Sequence, residues 1–374
     1  MKNILFFTYG DSNNPNTWSN VPYLLTNAFE KKGYNVIRVD MSTKRTLFSL
    51  GYTLLMKILK PSTTYYYVRS KMNRYFVEKK IKKAVKEYDD IVDLYISISY
   101  DFSPSKFTNK KVLLISDWPI EYLLDNRYNR GPDWLEKNDV KRHKEVIESA
   151  DYRISLFQDV ASYMNNRFNK KTEYLGALIN SFKDIKGFDK IENRNKITFI
   201  GKKSYYNSAK NLIKAFKNLD EKLIKSKNLE LHIIGMEKRD FPMVNNENIY
   251  FHGYLSKGNK NECDEYYNIL KDTLVVINTS EKWAGMSSIL ESMYYYRPII
   301  ISDFDEFVKT FGKNIDFGYY CSNNDSDIKE CLEKIISMKK SDYKKMSCCA
   351  HELVKDYSYD SYVDKMINLV KLNK

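Results

Sequence analysis

The sequence predicts an α/β protein built from two doubly wound parallel sheets. Three observations predict it. Its 374 residues exceed the usual size of one domain. Short apolar β-branched runs alternate with stretches of helical period in both halves. A polar, aperiodic segment, 181–195, separates those halves.

In the first half, residues 4–8 read as a buried strand, 21–32 as an amphipathic helix and 35–39 as a second strand. Gly33 follows the helix where a left-handed cap is needed. Strands are expected at 94–99, 112–116 and 153–157, with a helix at 139–150. The second half repeats the theme. Strands at 197–200, 229–234, 249–252, 275–277 and 299–301 alternate with helices at 209–219 and 263–271. Helices at 325–338, 342–355 and 360–371 complete the chain. The expected division is an N-terminal domain over 1–180, a linker over 181–195 and a second domain over 196–356. Residues 357–374 are expected to form a helix returning to the first domain. In open α/β sheets ligands bind beyond the carboxyl ends of the strands, so the two sheets are expected to face one another across an active-site cleft.

Composition narrows the function classes. Hydrophobic residues make up 43% of the chain, enough for real cores, and no apolar run approaches the length of a membrane span. The apolar run at 2–9 is too short for a signal peptide. Five cysteines, Cys348 and Cys349 adjacent among them, lack metal-ligand or disulfide spacing, which fits a reducing cytoplasm. The net charge of +13 is carried mostly by lysine in a chain rich in Asn, Ile and Tyr. That mixture points only weakly to an anionic partner, because nucleic-acid binders cluster arginine with aromatics.

Residues 277–303, INTSEKWAGMSSILESMYYYRPIIISD, carry the most chemistry. They read as strand, polar loop, helix, Arg-Pro break and buried strand. Gly285 opens a turn, Met286, Ser287 and Ser288 stand where a helix begins, and Glu291 lies one turn in. A helix start offers unpaired N–H groups and the positive end of a dipole, which suits a phosphate. A carboxylate one turn further along suits the vicinal hydroxyls of a sugar. With Leu290, Met293, Pro298, Ser302 and Asp303, this segment resembles the retaining glycosyltransferases of the GT-B fold, close to the large GT4-type group. Two departures stand out. Glu281 and Glu291 have nine intervening residues, more than the family's glutamate pair, and Arg297 replaces a small residue.

The resemblance extends to Gly201 and to Leu212-Ile213-Lys214-Ala215-Phe216. It implies that Lys202 is a cation aimed at a donor diphosphate. Asn207 holds the place of the family's second cation, with Lys203 or Lys210 as substitutes. It also implies that Gly235, Gly253 and Tyr254 line a nucleobase pocket, glycine allowing close backbone approach. His232 and His252 fall inside strand patterns and read as core histidines, whereas His143 reads as a surface residue of the 139–150 helix. In the first domain Gly10 and Ser19 are the acceptor-side candidates, with Ser19 as a helix cap. Relatives carry a histidine after the strand equivalent to 112–116. This chain has Asp117-Trp118 there. Asp117 either serves a sugar hydroxyl or an oxocarbenium-like charge, or simply caps a turn. Asp303-Phe304-Asp305 spells a metal-binding Asp-x-Asp, but it follows a strand of a fold that neutralises phosphate with cations and helix dipoles. No essential metal or cofactor is expected. The basic, aromatic stretch 41–76 is read either as a lipid-surface patch or as ordinary helices packed on the sheet.

Together these features imply a retaining hexosyltransferase with Glu281 and Asp117 as catalytic candidates. It would move a sugar from a nucleotide-diphosphate sugar, UDP-linked by preference, to a hydroxyl of a surface glycan or lipid-linked saccharide. Peripheral contact with an anionic membrane at its inner face is an accompanying expectation. Two rival readings are a DNA-base-modifying transferase of a virus or mobile element, and a degenerate GT-B domain that binds glycans without turnover.

Overall fold

The computed structural model describes residues 2–43, 46–60, 64, 66–126, 128–192, 194–281 and 286–372. The chain divides into two compact units, Met1–Ala177 with Tyr359–Lys374, and Leu178–Ser358.

The first unit holds a five-stranded sheet of β1 (Asn3–Thr8), β2 (Asn35–Asp40), β3 (Leu94–Ile98), β4 (Lys111–Ser116) and β5 (Tyr152–Ser155). Its order is β2-β1-β3-β4-β5, and every pairing is parallel. Between the strands run α1 (Val21–Lys31), α2 (Leu47–Leu59), α3 (Lys71–Tyr88), α4 (Ile120–Asn126), α5 (Glu136–Ser149) and α6 (Gln158–Asn165). Central strands of such a sheet are covered on both faces, which is why β3 is buried throughout and β1, β3 and β4 are largely apolar.

The second unit holds a six-stranded parallel sheet of β6 (Lys196–Ile200), β7 (Glu230–Ile234), β8 (Ile249–Gly253), β9 (Thr273–Asn278), β10 (Ile299–Ile301) and β11 (Gly318–Tyr320). The order is β11-β10-β9-β6-β7-β8. Its helices are α7 (Tyr206–Lys217), α8 (Glu221–Lys227), α9 (Lys260–Lys271), α10 (Met286–Tyr294), α11 (Asp305–Phe311), α12 (Asp325–Ile336) and α13 (Lys340–Val354). Helix α7 shows the usual logic of the layer. Leu212, Ile213 and Phe216 lie on one stripe and are buried against Ile197, Phe199, Leu231 and Ile233 of the sheet. The last helix, α14 (Tyr359–Val370), packs on α1 of the first unit, where Lys31 pairs with Asp360 and Lys32 with Asp364. No helix among the described residues is long and apolar enough to cross a membrane.

Both sheets reverse their winding once. In the first, β1 leads outward to β2, and the chain returns to place β3 on its other side. In the second, β6 leads to β7 and β8, then β9 returns to the other side of β6. At such switch points the connections diverge and leave a crevice beyond the carboxyl ends of two adjacent strands. The points to inspect are therefore Thr8 and Ile98 in one unit, and Ile200 and Asn278 in the other.

Residues 181–192, 194 and 195 belong to the second unit rather than hanging free. Arg194 is buried and donates to the carbonyls of Phe188, Lys190 and Tyr296 and to the hydroxyls of Tyr343 and Ser347. Replacing it removes one hub and strands several buried acceptors, each costing about 1–3 kcal/mol. Arg194→Ala is expected to lower unfolding free energy by about 3 kcal/mol or more in urea titrations. A loss below about 1 kcal/mol would show that the segment is only loosely attached.

Candidate functional site: two strand-end crevices

At the first unit's switch point lies a cavity of about 210 Å³. Thr8 and Tyr9 reach it from the end of β1, Ser99 and Asp101 from the end of β3, and Ser116, Asp117 and Trp118 from the end of β4. Trp18, Arg69 and His143 complete the lining. Aromatic walls with a few converging polar groups are what a small polar ligand requires.

Trp18 reaches the cavity through an unusual turn. Trp18, Ser19 and Asn20 are three successive non-glycine residues with left-handed backbones, at φ 38°, 55° and 73°. Each such residue costs of order 1–3 kcal/mol, and the surrounding loop holds them in place. Gly10, at φ 90°, donates to Asp40 Oδ1 at 2.9 Å and Ser42 Oγ at 2.8 Å, and a Cβ there would press on Thr17. Ser19 is not the helix cap expected from sequence. Asn20 precedes α1 in the cap position, with no side-chain cap bond, and Ser19 is exposed. The cap rule fails because Pro22 already supplies a favourable α1 start while the turn is bent to place Trp18. Neither Gly10 nor Ser19 lines the cavity; Trp18 does.

The polar side of the cavity is a connected network. Ile120 N–H donates to His143 Nδ1 at 3.3 Å, which leaves Nε2 to donate to Asp101 Oδ1 at 2.8 Å. His143 is therefore buried and engaged, contrary to the surface position read from sequence. Its neighbours explain the error: α5 also buries Glu136 and Asp139, so its polar side faces inward. Arg142 donates to the Asp101 carbonyl at 2.8 Å and bridges Asp101 and Asp139. Burial pushes the Asp101 carboxyl upward, but His143, Arg142 and Arg69 outweigh it and hold it far below the usual range. Asp117 moves the other way. Burial raises it, Asp101 adds to the rise, and bonds from Trp118 N–H at 2.9 Å and Ser116 Oγ at 3.1 Å offset it only in part. Two carboxyls with opposite displacements thus share one crevice, an arrangement that separates a fixed charge from a proton-accepting group.

Arg69 is positioned from behind. It donates to the Thr64 hydroxyl at 2.7 Å. Thr64 in turn donates from its backbone N–H to Glu136 Oε1 at 2.7 Å. Arg130 holds Glu136 with two bonds, at 2.7 and 2.9 Å.

Beside the second unit's switch point, at the carboxyl ends of β6, β7 and β8, three glycines meet. Gly201 N–H donates to the Ile234 carbonyl, Gly235 to Gly253 and Gly253 to Met236. Gly235 has φ 100°, and a Cβ there would sit 2.5 Å from the Gly201 carbonyl oxygen. No other residue fits this approach without moving the strand ends. Lys202 follows β6, exposed, with its ammonium 4.9 Å above the Tyr254 ring. Among the described residues no carboxylate pairs with Lys202, whereas neighbouring Lys203 is bound to Asp240 at 2.7 Å. Lys203 is thus a poor substitute cation, and Lys210 lies exposed on α7. The loop after β9 is tied down on the other side: Thr279 N–H donates to Ser208 Oγ at 3.0 Å, and its hydroxyl donates to Asn323 Oδ1 at 2.9 Å.

Helix α10 starts at Met286, which is buried, with Ser287 exposed and Ser288 half-buried. Glu281 is exposed three residues beyond β9. Gly285 lies outside the described residues. Glu291 is 1% exposed, and its carboxylate is already fully engaged. Oε2 accepts from Lys257 Nζ and from Tyr266 Oη at 3.0 Å, and Oε1 from Tyr267 Oη at 2.6 Å. Lys257 also donates to the Asn180 carbonyl at 2.8 Å. Burial, then the Glu291 charge, drives both phenols far above their usual range, so they remain protonated donors. The free carboxylate expected one turn into the helix is instead an anchor that fixes α10 to α9. Sequence gave no sign of this, because Lys257, Tyr266 and Tyr267 approach from another element. Breaking a buried pair of this kind costs about 3–5 kcal/mol.

Comparisons with known proteins bear on the family and the fold. A profile of the family described as Glycosyl transferases group 1 matches residues 180–371. No curated protein matches by sequence. Among solved structures, sucrose-phosphate synthase from Thermosynechococcus elongatus superposes with TM-score 0.65 at 11% identity, covering 100% of this chain and 99% of that one. HepE from Anabaena, solved with UDP and glucose, superposes with TM-score 0.62 at 9% identity over 99% and 100%. The lipopolysaccharide outer core galactosyltransferase WaaB does so with TM-score 0.62 at 14% identity over 99% of both. These likenesses show the fold, two parallel-sheet Rossmann-like domains of the GT-B class.

The buried Glu136 network generates a pH prediction. Burial raises its carboxyl, but Arg130, the Asp133 N–H and Thr64 outweigh burial and bring it down to about 2 from an ordinary 4.5. A depressed carboxyl contributes stability that is complete above the unfolded value and lost as pH falls through the folded one. Urea midpoints should therefore drop between about pH 5 and 2, and Glu136→Gln should be weaker at pH 7 and flatter across that window. Parallel curves for the two proteins would mean that Glu136 does not hold this network.

Proposed function

From a chain that belongs to the glycosyl transferases group 1 family, we propose a transferase that moves a sugar from a UDP-sugar to a hydroxyl of a glycan or lipid-linked acceptor, with retention of configuration. The observation that carries the donor half lies at the carboxyl end of β6, beside the switch point. There the Gly201 and Gly235 turns approach closely, and Lys202 stands without a carboxylate partner among the described residues.

In this reading the Lys202 ammonium meets the donor diphosphate, and the first-turn N–H groups of α10 at Met286, Ser287 and Ser288 supply the remaining donors. Two sources of positive potential make an essential metal unnecessary. Tyr254 and the backbone at Gly235 and Gly253 border the base. Glu291 serves by fixing the angle of α10 through Lys257, Tyr266 and Tyr267. Glu281, exposed beside the phosphate position, stays a candidate for the reacting sugar. In the first unit Asp117 takes a hydrogen bond from an acceptor or sugar hydroxyl while Asp101 holds a fixed charge, and Trp18 and Trp118 pack on the apolar faces of the sugar. HepE was solved with UDP and glucose, which supports the choice of donor base without identifying the sugar.

Thermal shift against UDP-, GDP- and ADP-sugars tests this, since a ligand of the folded state raises its midpoint. UDP-sugars should give the largest shift. Lys202→Ala should weaken binding about tenfold or more, the worth of a charge-assisted bond, without changing the midpoint of the free protein. No shift with any nucleotide sugar would contradict the reading.

A further inference from the structure

The second unit carries another cavity, of about 420 Å³, at the opposite edge of its sheet from the strand-end crevice. Leu229 and Leu274, at the amino ends of β7 and β9, line it together with Ile335 and Met338 at the end of α12. Its size is comparable with small-molecule sites, which run roughly 300–1,000 Å³. The polar part of the lining is cationic: buried Arg194, Lys227 at the end of α8 and Lys340 at the start of α13. Glu192 is the only carboxylate among the described residues that line it, and it pairs with Lys340 at 3.3 Å.

Two guanidinium groups meet at this wall without an anionic partner among the described residues. Arg297, wholly buried ahead of β10, donates through Nη2 to the Phe188 carbonyl at 3.1 Å, and Arg194 Nη2 donates to the same oxygen at 2.8 Å. Sharing one oxygen places the two groups side by side. The other acceptors of Arg194 are the carbonyls of Lys190 and Tyr296 and the hydroxyls of Tyr343 and Ser347, all neutral. Arg297 Nε and Nη1 have no hydrogen-bond partner among the described residues. Asp272, whose charge reaches Arg297, is itself paired with Lys196 at 3.0 Å. Burial, and after it the Arg194 charge, brings the Arg297 guanidinium well below its usual range, to about 9, so it is still charged at neutral pH. Buried cations are ordinarily paired, because an isolated one gives up its hydration without return. Two together set up a positive potential that an anion in the adjoining cavity satisfies. Arg297 also stands where the resembled family carries a small residue, so this charge is a feature of this chain.

We propose that this cavity binds an organic phosphate, a monoester whose head lies against Arg194, Lys227 and Lys340 in the field of Arg297 and whose apolar body covers Leu229, Leu274 and Ile335. A phosphate monoester carries close to two negative charges at neutral pH, which matches the two buried guanidinium groups. Inorganic phosphate alone would leave most of the apolar lining uncovered. The site lies at the amino ends of the strands, whereas Lys202 and its turn lie at their carboxyl ends. It stands independently of the transfer reading.

Thermal shift of the full chain with phenyl phosphate, inorganic phosphate and phenol tests the site, since a ligand of the folded state raises its midpoint. Phenyl phosphate should raise it by about 2 °C or more at saturation, inorganic phosphate at the same concentration by less, and phenol not at all. Lys227→Glu with Lys340→Glu, both at exposed positions, should weaken phenyl phosphate at least about tenfold and leave the UDP-sugar shift unchanged. Arg297→Met should weaken it likewise without lowering the midpoint of the free protein, because the change removes a buried cation that lacks a partner. Lys202→Ala should leave the phenyl phosphate shift as it is. Absence of that shift overturns the proposal, and so does a shift that the lysine double variant or Arg297→Met retains. A fall in the free midpoint of Arg297→Met overturns the premise of an unpaired cation. An equal response to inorganic phosphate or to phenol overturns the ester. A shift lost in Lys202→Ala assigns phenyl phosphate to the donor crevice and overturns the second site.

Discussion

The close approach of two backbones, at Gly201 and Gly235, is the constraint on which the second unit's strand-end crevice depends. Parallel strands deliver their carboxyl ends to one edge, and the reversal between β6 and β9 opens that edge. What fills the opening is decided by side-chain size. A Cβ at Gly235 would sit 2.5 Å from the Gly201 carbonyl, so glycine keeps the strand ends in register with the turn that carries Lys202. A lysine released there has no competing carboxylate among the described residues, while Lys203, one position on, is taken by Asp240. One residue of register thus separates a lysine without a carboxylate partner among the described residues from one held in an ion pair.

Both crevices are backed by buried charge rather than by apolar packing alone. Glu291, Lys257 and two tyrosines join α9 to α10 in the second unit. Asp101, His143, Arg142 and Asp139 join α5 to the end of β3 in the first. Such networks cost desolvation and return it only when every member is satisfied, so they contribute little net stability. Their effect is geometric: each fixes an element whose end faces the crevice. The left-handed Trp18–Asn20 turn belongs with them, since strain there is held by neighbours that also place an aromatic wall.

Much of the architecture was legible in the chain because buried parallel strands write themselves as short, nearly continuous apolar runs. Ile4, Leu113, Ile233 and Ile300 all sit in runs read correctly as strands. The resemblance carried by Gly201, Leu290 and Pro298 led to the family directly. Side-chain surroundings were less legible, for a physical reason. His143 and Glu291 are polar residues at ordinary helical positions, and their burial depends on partners far along the chain: Asp101 for one, Lys257 and Tyr267 for the other. No local pattern encodes such a pairing. Ser19 failed as a cap because the neighbouring turn adopts a conformation that local propensity disfavours. Helix α2 defeated pattern reading differently. It lies in the stretch 41–76, which the sequence leaves open between a lipid-surface patch and helices packed on the sheet, because an apolar pattern does not give the direction in which a face points.

Hydrogen–deuterium exchange of the full chain with and without a UDP-sugar tests the central claim most directly. The account predicts protection at the strand-end turns 200–203, 234–236 and 252–255 and at the first turn of α10, with β2 and α13 unchanged. Protection confined to other segments, with the Gly201 and Gly235 turns exchanging as they do in the free protein, would contradict it.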